Sequence, residues 1–169
     1  TVESLMGVEI PRRAQYLRVI LHELSRVHSH LLWLGLAADA FGFESLFMHC
    51  WRLRERVLDI FEATTGGRVI LSYVQIGGVV RDIDADTLRW ICDKLDSIEG
   101  EYKEICATFL KDSSVRSRLD GVGYLSQQQA SELCMVGPFA RASNVPYDCR
   151  MLGHGAYGEL SDFTPITST

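Results

Sequence analysis

At 169 residues, 47% apolar and 23% charged, the chain has the size and composition of one globular domain able to bury a core. Its net charge of −5 is uneven, with four bases and nine acids in residues 82–112 against nine bases and eight acids in residues 1–81. That balance argues against nucleic acid as the main partner, because neutralising phosphates takes a basic surface.

No apolar stretch reaches the roughly 18 residues needed to span a bilayer. The longest uncharged run, Val27 to Ala38, is interrupted by His28 and His30. No signal peptide is read, since Glu3 and Glu9 stand where basic residues would be expected. A start at Thr1 rather than Met leads us to expect a piece of a longer protein. The cysteines at 50, 92, 106, 134 and 149 are odd in number and form no C-x-x-C pair. They read as buried, reduced thiols, and a zinc or iron–sulfur site within the chain is not expected.

Pro11 suits a first helical position, where its missing N–H costs nothing. From there Leu17, Ile20, Leu21, Leu24, Val27, Leu31 and Leu34 share one face, predicting a helix that ends within Leu34–Asp39. A second helix is predicted from Ser45 to Thr65, with Leu46, Cys50, Leu53, Val57, Ile60 and Phe61 as its stripe. Gly66-Gly67 closes it. Arg68 to Val80 is rich in β-formers and reads as a short strand or extended buried connection, broken by Gly77-Gly78. The third helix has the clearest pattern. Leu88, Ile91, Leu95, Ile98, Tyr102, Ile105 and Phe109 alternate three and four apart, with Asp84 as its cap and Gly100 as a weak spot. Short helices are predicted over Ser114–Leu119 and from Ser126, where Ser126 and Gln129 spell a capping box. Residues 1–135 form the expected helical core. Residues 136–169, which hold three of the four prolines, form a loop-rich tail with room for a short strand, folded on the bundle or a partner. The fold class is mainly α, a long-helix bundle within one domain.

His22, His28 and His30 invite a metal reading, but at about 100° per residue they stand about 120° and 160° apart, not in the i, i+4 relation that joins two imidazoles. They read as separate structural histidines, of which one can serve as a proton carrier near a redox centre. Glu23 with Arg26, and Arg52 to Arg56 with Glu55, read as helix-surface or interhelical ion pairs. Arg68, Arg81 and Arg141 each adjoin a Gly or Pro loop, where a guanidinium can hold a carboxylate, a phosphate or the charge of a reduced cluster. A structural role competes with that reading at each. No Ser-His-Asp or Cys-His arrangement and no GxGxxG is present, so the residues unaided specify no enzyme activity.

Five blocks carry a resemblance. They are GVEIPRRAQYLRVILHELSRVHSHLLWLG at 7–35, GFESLFMHCWRLRERVLDIFEATTGGRV at 42–69, IGGVVRDI at 76–83, VGPFARASNVPYDCR at 136–150 and AYGEL at 156–160. In this order they resemble the large subunit of energy-converting, membrane-bound nickel–iron hydrogenases, and its relative, the cluster-facing large subunit of respiratory complex I. The wording LFMHCWRLRE is nearer to hydrogenases and formate hydrogenlyase. Ala40 and Phe41 precede Gly42 where the quinone branch usually has Asp, and Ile70 stands where that branch often has His.

The resemblance implies a central fragment of such a subunit. The intact complex would oxidise H2 or reduce protons at a nickel–iron centre, with electrons passing through iron–sulfur clusters of a small partner subunit. It would dock on ion-moving membrane subunits at the cytoplasmic face of the membrane. The alternative is an NADH:quinone oxidoreductase subunit, and a rival of another class is a non-catalytic helical interaction module. Hydrogenases of this kind hold their metals with two C-x-x-C motifs that this chain lacks, so the fragment is expected to bind no cofactor and to be inactive alone. Arg68, Arg81, Arg141 and His30 are the candidate cofactor- or cluster-facing residues. Apolar faces left without neighbours would favour a homodimer of the fragment.

Overall fold

The computed structural model describes residues 1–160 and 164–167. Its contacts separate two compact units, Thr1–Arg116 and Ser117–Thr169. The change falls within the helix Ser113–Leu119.

The first unit is mainly helical. A short helix, α1 (Val2–Met6), closes on Gly7 in the left-handed conformation. The sequence reading did not anticipate it, since five residues carry too little periodicity to register. Next comes α2 (Arg12–Ala40), with Pro11 as its N-cap rather than its first turn. A tight link through Gly42, at φ 81, leads to α3 (Glu44–Thr65), which ends on Gly66 at φ 80. These two helices form an αα-hairpin and the main packing of the unit. Leu17, Leu21, Leu24, Leu31, Gly35 and Ala38 face inward from α2. Cys50, Leu53, Val57 and Ile60 of α3 are 0% exposed, so α3 is the centre of the core.

The extended stretch is real but brief. Strands β1 (Val74–Gln75) and β2 (Gly78–Val79) pair antiparallel, Val74 opposite Val79 and Gln75 opposite Gly78. Then α4 (Ala85–Lys111) starts on the Asp84 cap, whose side chain accepts the Thr87 N–H, and packs on α3. Its buried positions are Ile91, Ile98 and Ile105, one every seven residues, with Leu88, Leu95 and Phe109 partly buried beside them. Tyr102 is outside that row and exposed, because a single facing helix covers a narrow stripe.

The second unit holds the remainder of α5 (Ser113–Leu119), then α6 (Gln127–Glu132) and α7 (Gly137–Ala142). The capping box of Ser126 and Gln129 forms as its sequence predicts. The tail differs from the expected loops and short strand. It carries α7 and two 3-10 turns, Cys149–Leu152 and Gly155–Glu159, and no strand among the described residues. Pro138 stands in the first turn of α7, a position compatible with a helix, although the prolines of this stretch contributed to its reading as loops.

Two further expectations change. Only Cys50 is a buried thiol. Cys92, Cys134 and Cys149 are exposed and Cys106 is intermediate, since they lie off the apolar stripes of their elements. Arg52 and Arg56 do not pair with Glu55 but reach across to Glu101 of α4, at 3.3 and 2.5 Å. A neighbouring helix offers a closer carboxylate than their own. The Glu23–Arg26 pair forms, at 3.1 Å.

Candidate functional site

The densest long-range polar network of the first unit surrounds the β1–β2 hairpin. Gly77 turns the chain at φ 84, and a Cβ added there would meet Val8 at 3.4 Å. Below the turn, Arg18 of α2 spreads its guanidinium between the two carboxylate oxygens of Glu3, at 3.0 and 2.7 Å, and the carbonyls of Gln75 and Gly78, at 2.8 and 2.7 Å. Glu3 also accepts the Gly77 N–H at 2.8 Å. Arg18 and Glu3 are only 13% and 21% exposed, and the fork geometry lets each hydrogen bond strengthen the others. Arg18, then the Gly77 N–H, lowers the Glu3 carboxyl to about 2.

A second clasp holds the far end of the hairpin. Arg13, five residues before Arg18 on α2, donates to Asp82 at 2.7 Å and to the Ile83 carbonyl at 2.6 Å. Asp82 is held below the usual carboxylate range by that bond first. Tyr73 is buried and donates its hydroxyl to the Arg81 carbonyl at 2.6 Å. Backbone polar groups are thus drawn inward, and apolar side chains are left outside. Val69, Ile70, Val74, Ile76 and Val80 are exposed along the stretch, and Leu5 and Met6 of α1 are exposed as well. So many exposed apolar side chains on one short stretch make it the most apolar part of the candidate site.

The four residues singled out in the sequence occupy different surroundings. Arg68 is bound by Glu55, Asp59 and Glu62, three carboxylates along one face of α3. Arg81 is exposed at the base of the hairpin, its carbonyl taken by Tyr73. His30 is exposed on α2, along the side that carries His22, Ser25, Arg26 and Ser29. Arg141 belongs to the second unit. There it shares Asp148 with Arg150, at 2.9 and 2.8 Å, with the two guanidinium side chains 14% and 15% exposed and Asp148 3% exposed. Arg150 above all holds the Asp148 carboxyl far below its ordinary range.

Sequence reasoning missed Glu3, Arg13, Arg18 and Asp82. Their spacing carries no periodic signal, because the pairs join residues 15 and 69 apart. It also missed Glu101, which gathers His49 at 3.0 Å with Arg52 and Arg56 and ties α3 to α4. The His49 bond first, then Arg56, holds the Glu101 carboxyl low.

The donor set does not fit a nickel–iron centre. Such a centre is held by paired thiolates. The five cysteines here are separate free thiols, and among the described residues no group of three or more His, Cys, Asp or Glu side chains converges. Burial raises the Cys50 thiol, which disfavours the thiolate a metal needs. Among the described residues no helix is long and apolar enough to cross a membrane.

Comparison with known proteins gives consistent results. The family described as "Respiratory-chain NADH dehydrogenase, 49 Kd subunit" matches residues 40–169. The alpha subunit of the membrane-bound hydrogenase of Pyrococcus furiosus is 41% identical over 98% of this chain and 39% of its own length. A subunit of the NAD(P)H-quinone oxidoreductase of Gloeobacter violaceus is 40% identical over 94% of this chain and 40% of its own. A subunit of the F(420)H(2) dehydrogenase of Methanosarcina mazei is 41% identical over 88% and 40%. Among solved structures, a chain of the membrane-bound sulfane sulfur reductase, an archaeal respiratory membrane complex, superimposes with a TM-score of 0.91 at 32% identity, covering 98% of this chain and 45% of that one. The chain therefore spans about two fifths of the length of the curated relatives it matches.

Proposed function

This chain belongs to the family of the respiratory-chain NADH dehydrogenase 49-kDa subunit, as a fragment of the large subunit, and from that premise we propose that it is the helical scaffold at the centre of a hydrogenase-type redox enzyme. The intact complex oxidises H2 or reduces protons and couples the electrons, through iron–sulfur clusters of a small partner subunit, to ion movement by membrane subunits. It works at the cytoplasmic face of the membrane. The observation that carries this reading is the 41% identity to the alpha subunit of a membrane-bound hydrogenase over 98% of the chain. When bound, the nickel–iron centre supplies the hydrogen chemistry, and its thiolates belong to parts of the intact subunit other than this chain.

The role of these residues is to hold geometry. The α2–α3–α4 packing gives a rigid base. Arg13 and Arg18 fix the hairpin on that base, so the exposed Val74, Ile76 and Val80 meet the small subunit in one orientation. Arg81, at the base of the hairpin, is the candidate cationic group nearest that face. Arg68 and Arg141 act on a cluster or cofactor through the loops they brace rather than by direct approach, since carboxylates of the chain already occupy their guanidinium groups. His30, exposed on α2, is the candidate cluster-facing residue of that helix.

A second reading, that the intact protein is a subunit of a complex I-type enzyme, is supported by the 40% identity to a quinone oxidoreductase subunit. Metal analysis and activity of the purified full-length complex separate the two. Nickel together with H2-dependent dye reduction supports the hydrogenase reading. A nickel-free complex that reduces quinone overturns it. Arg81→Ala in the intact enzyme should shift the potential of the terminal cluster, and an unchanged potential removes that residue from the site.

A further inference from the structure

The two units differ in what they bury. The interior of the first is built from long apolar side chains, among them Leu31, Leu53, Ile60 and Ile105. Among the described residues of the second, only Ala130, Ala140, Ala156 and Asp148 are buried, which amounts to small methyl groups around a carboxylate. The large apolar side chains stand outside. Tyr124, Leu133, Val136, Phe139, Met151 and Leu152 are 53–85% exposed. Scattered apolar residues on a surface need no explanation, but a unit whose described residues include no large buried apolar side chain does.

Polar and backbone contacts nevertheless specify its shape. The capping box of Ser126 and Gln129 opens α6. The Gln127 side chain donates to the Asn144 carbonyl at 2.9 Å, which ties the start of α6 to the end of α7. Asp148 is gripped by Arg141 and Arg150. Contacts of this kind hold a conformation, but they do not supply the apolar burial on which a small unit depends. Leu133, Val136 and Phe139 fall three residues apart across the α6–α7 link and are all exposed. They have the character of an interface core with its other half missing.

The missing half has an obvious source in length. The relatives and the solved neighbour are matched over only 39–45% of their own chains, so more than half of each such polypeptide lies outside these residues. The solved neighbour superimposes on 98% of this chain with a TM-score of 0.91, so this conformation occurs within a polypeptide more than twice as long. A unit with so small an interior needs cover at the time it folds. A covalently joined segment supplies that cover at an effective concentration of about millimolar order, whereas a separate subunit must first be met.

We propose that Leu133, Val136 and Phe139 of the second unit form a docking surface for the remainder of the same large-subunit polypeptide, which covers them with apolar side chains. The proposal rests on the chain being a fragment of the family's large subunit and is independent of the choice between the hydrogenase and quinone readings.

Hydrogen exchange tests it, by comparing this chain with the full-length large subunit purified without its partner subunits. Amides of residues 127–145 should exchange at least tenfold more slowly in the full-length subunit, while those around Ile60 of α3 differ by less than threefold. Leu133→Ser and Phe139→Ser should leave exchange in this chain within threefold of the wild type, because both positions are exposed there, and should speed exchange at 127–145 at least fivefold in the full-length subunit. Equal protection of 127–145 in the two proteins would overturn the proposal, as would serine variants that exchange like the wild type in both. Protection that appears only on adding the small subunit assigns the cover to a separate chain and overturns it too. Protection in this chain that grows with its concentration, together with a dimer by light scattering, assigns the cover to a second copy, with the same consequence.

Discussion

Two helix-interior glycines should respond to the same substitution with opposite signs. Gly100 lies within α4 and a Cβ added there meets nothing within 4 Å. Gly100→Ala therefore collects the full difference in helix propensity, about 1 kcal/mol, because alanine loses less backbone entropy on folding. Gly35 lies within α2 and starts with the same gain. Its Cβ, however, would stand 3.2 Å from Trp51 Nε1, 3.3 Å from Trp51 Cδ1 and 3.4 Å from the Cys50 Cβ. Carbon–carbon contacts settle at about 3.5–4.0 Å, so α2 and α3 must part by a few tenths of an ångström. Trp51 has little freedom to yield, since Phe47 lies 5.4 Å from its ring centre and the Arg54 guanidinium 4.6 Å. Overpacking of this kind costs about 1–3 kcal/mol, which offsets the propensity gain and leaves a net loss of about 0–2 kcal/mol. Urea denaturation followed by tryptophan fluorescence measures both, because the tryptophans at 33, 51 and 90 all belong to the first unit. Gly100→Ala should raise the midpoint and Gly35→Ala lower it. Equal stabilisation by the two would refute the tight α2–α3 approach on which the reasoning rests.

Other outcomes follow from the same geometry. Ile60 is 0% exposed at the centre of the core, and Ile60→Ala should cost about 2–5 kcal/mol in the same urea assay, through lost burial and the cavity left behind. Glu3 titrates at about 2 in the folded chain against an ordinary 4.5, so the stability it contributes is complete above about pH 4.5 and fades as the pH falls towards 2. The Gly77 amide signal should move over that interval in the wild type and stay flat in Glu3→Gln; a flat wild-type profile would remove the anchor. Asp148→Asn leaves Arg141 and Arg150 without their charge partner. It should loosen the second unit by about 2–3 kcal/mol, the lower range for a broken buried pair because both guanidinium groups reach some water. Faster amide exchange at Ala140 and Val145 checks it.

Much of the fold was legible because long helices write their burial at a fixed period. The stripe from Leu17 to Leu34 and the series from Leu88 to Phe109 located α2 and α4 within a few residues, and Asp84, Gly66 and Ser126 marked helix ends through cap chemistry. The short elements were less legible. Five residues of α1 and six of α7 lie below the length at which periodicity speaks, and Pro138 reads equally as a helix start or a breaker. The polar site was the least legible part. Arg68 and Arg141 stood out beside their loops, yet their acid partners depend on helix facing and local turns. Arg18 was hidden in plain view, because an arginine among leucines on an amphipathic helix looks like any solvent-facing residue until the hairpin arrives beneath it.

The hydrogen bond from Gly77 to Glu3 closes a loop of 74 residues, with the whole of α2 and α3 inside it. Closing so long a loop is entropically unfavourable until the helices have already brought its ends together. The clasp therefore belongs to the last stage of folding and the first stage of opening. A chain that briefly releases Glu3 loosens the turn at Gly77 while Arg18 and Arg13 still hold the rest of the hairpin and the helical pair stays shut, so the turn is the part of the scaffold that opens at least cost.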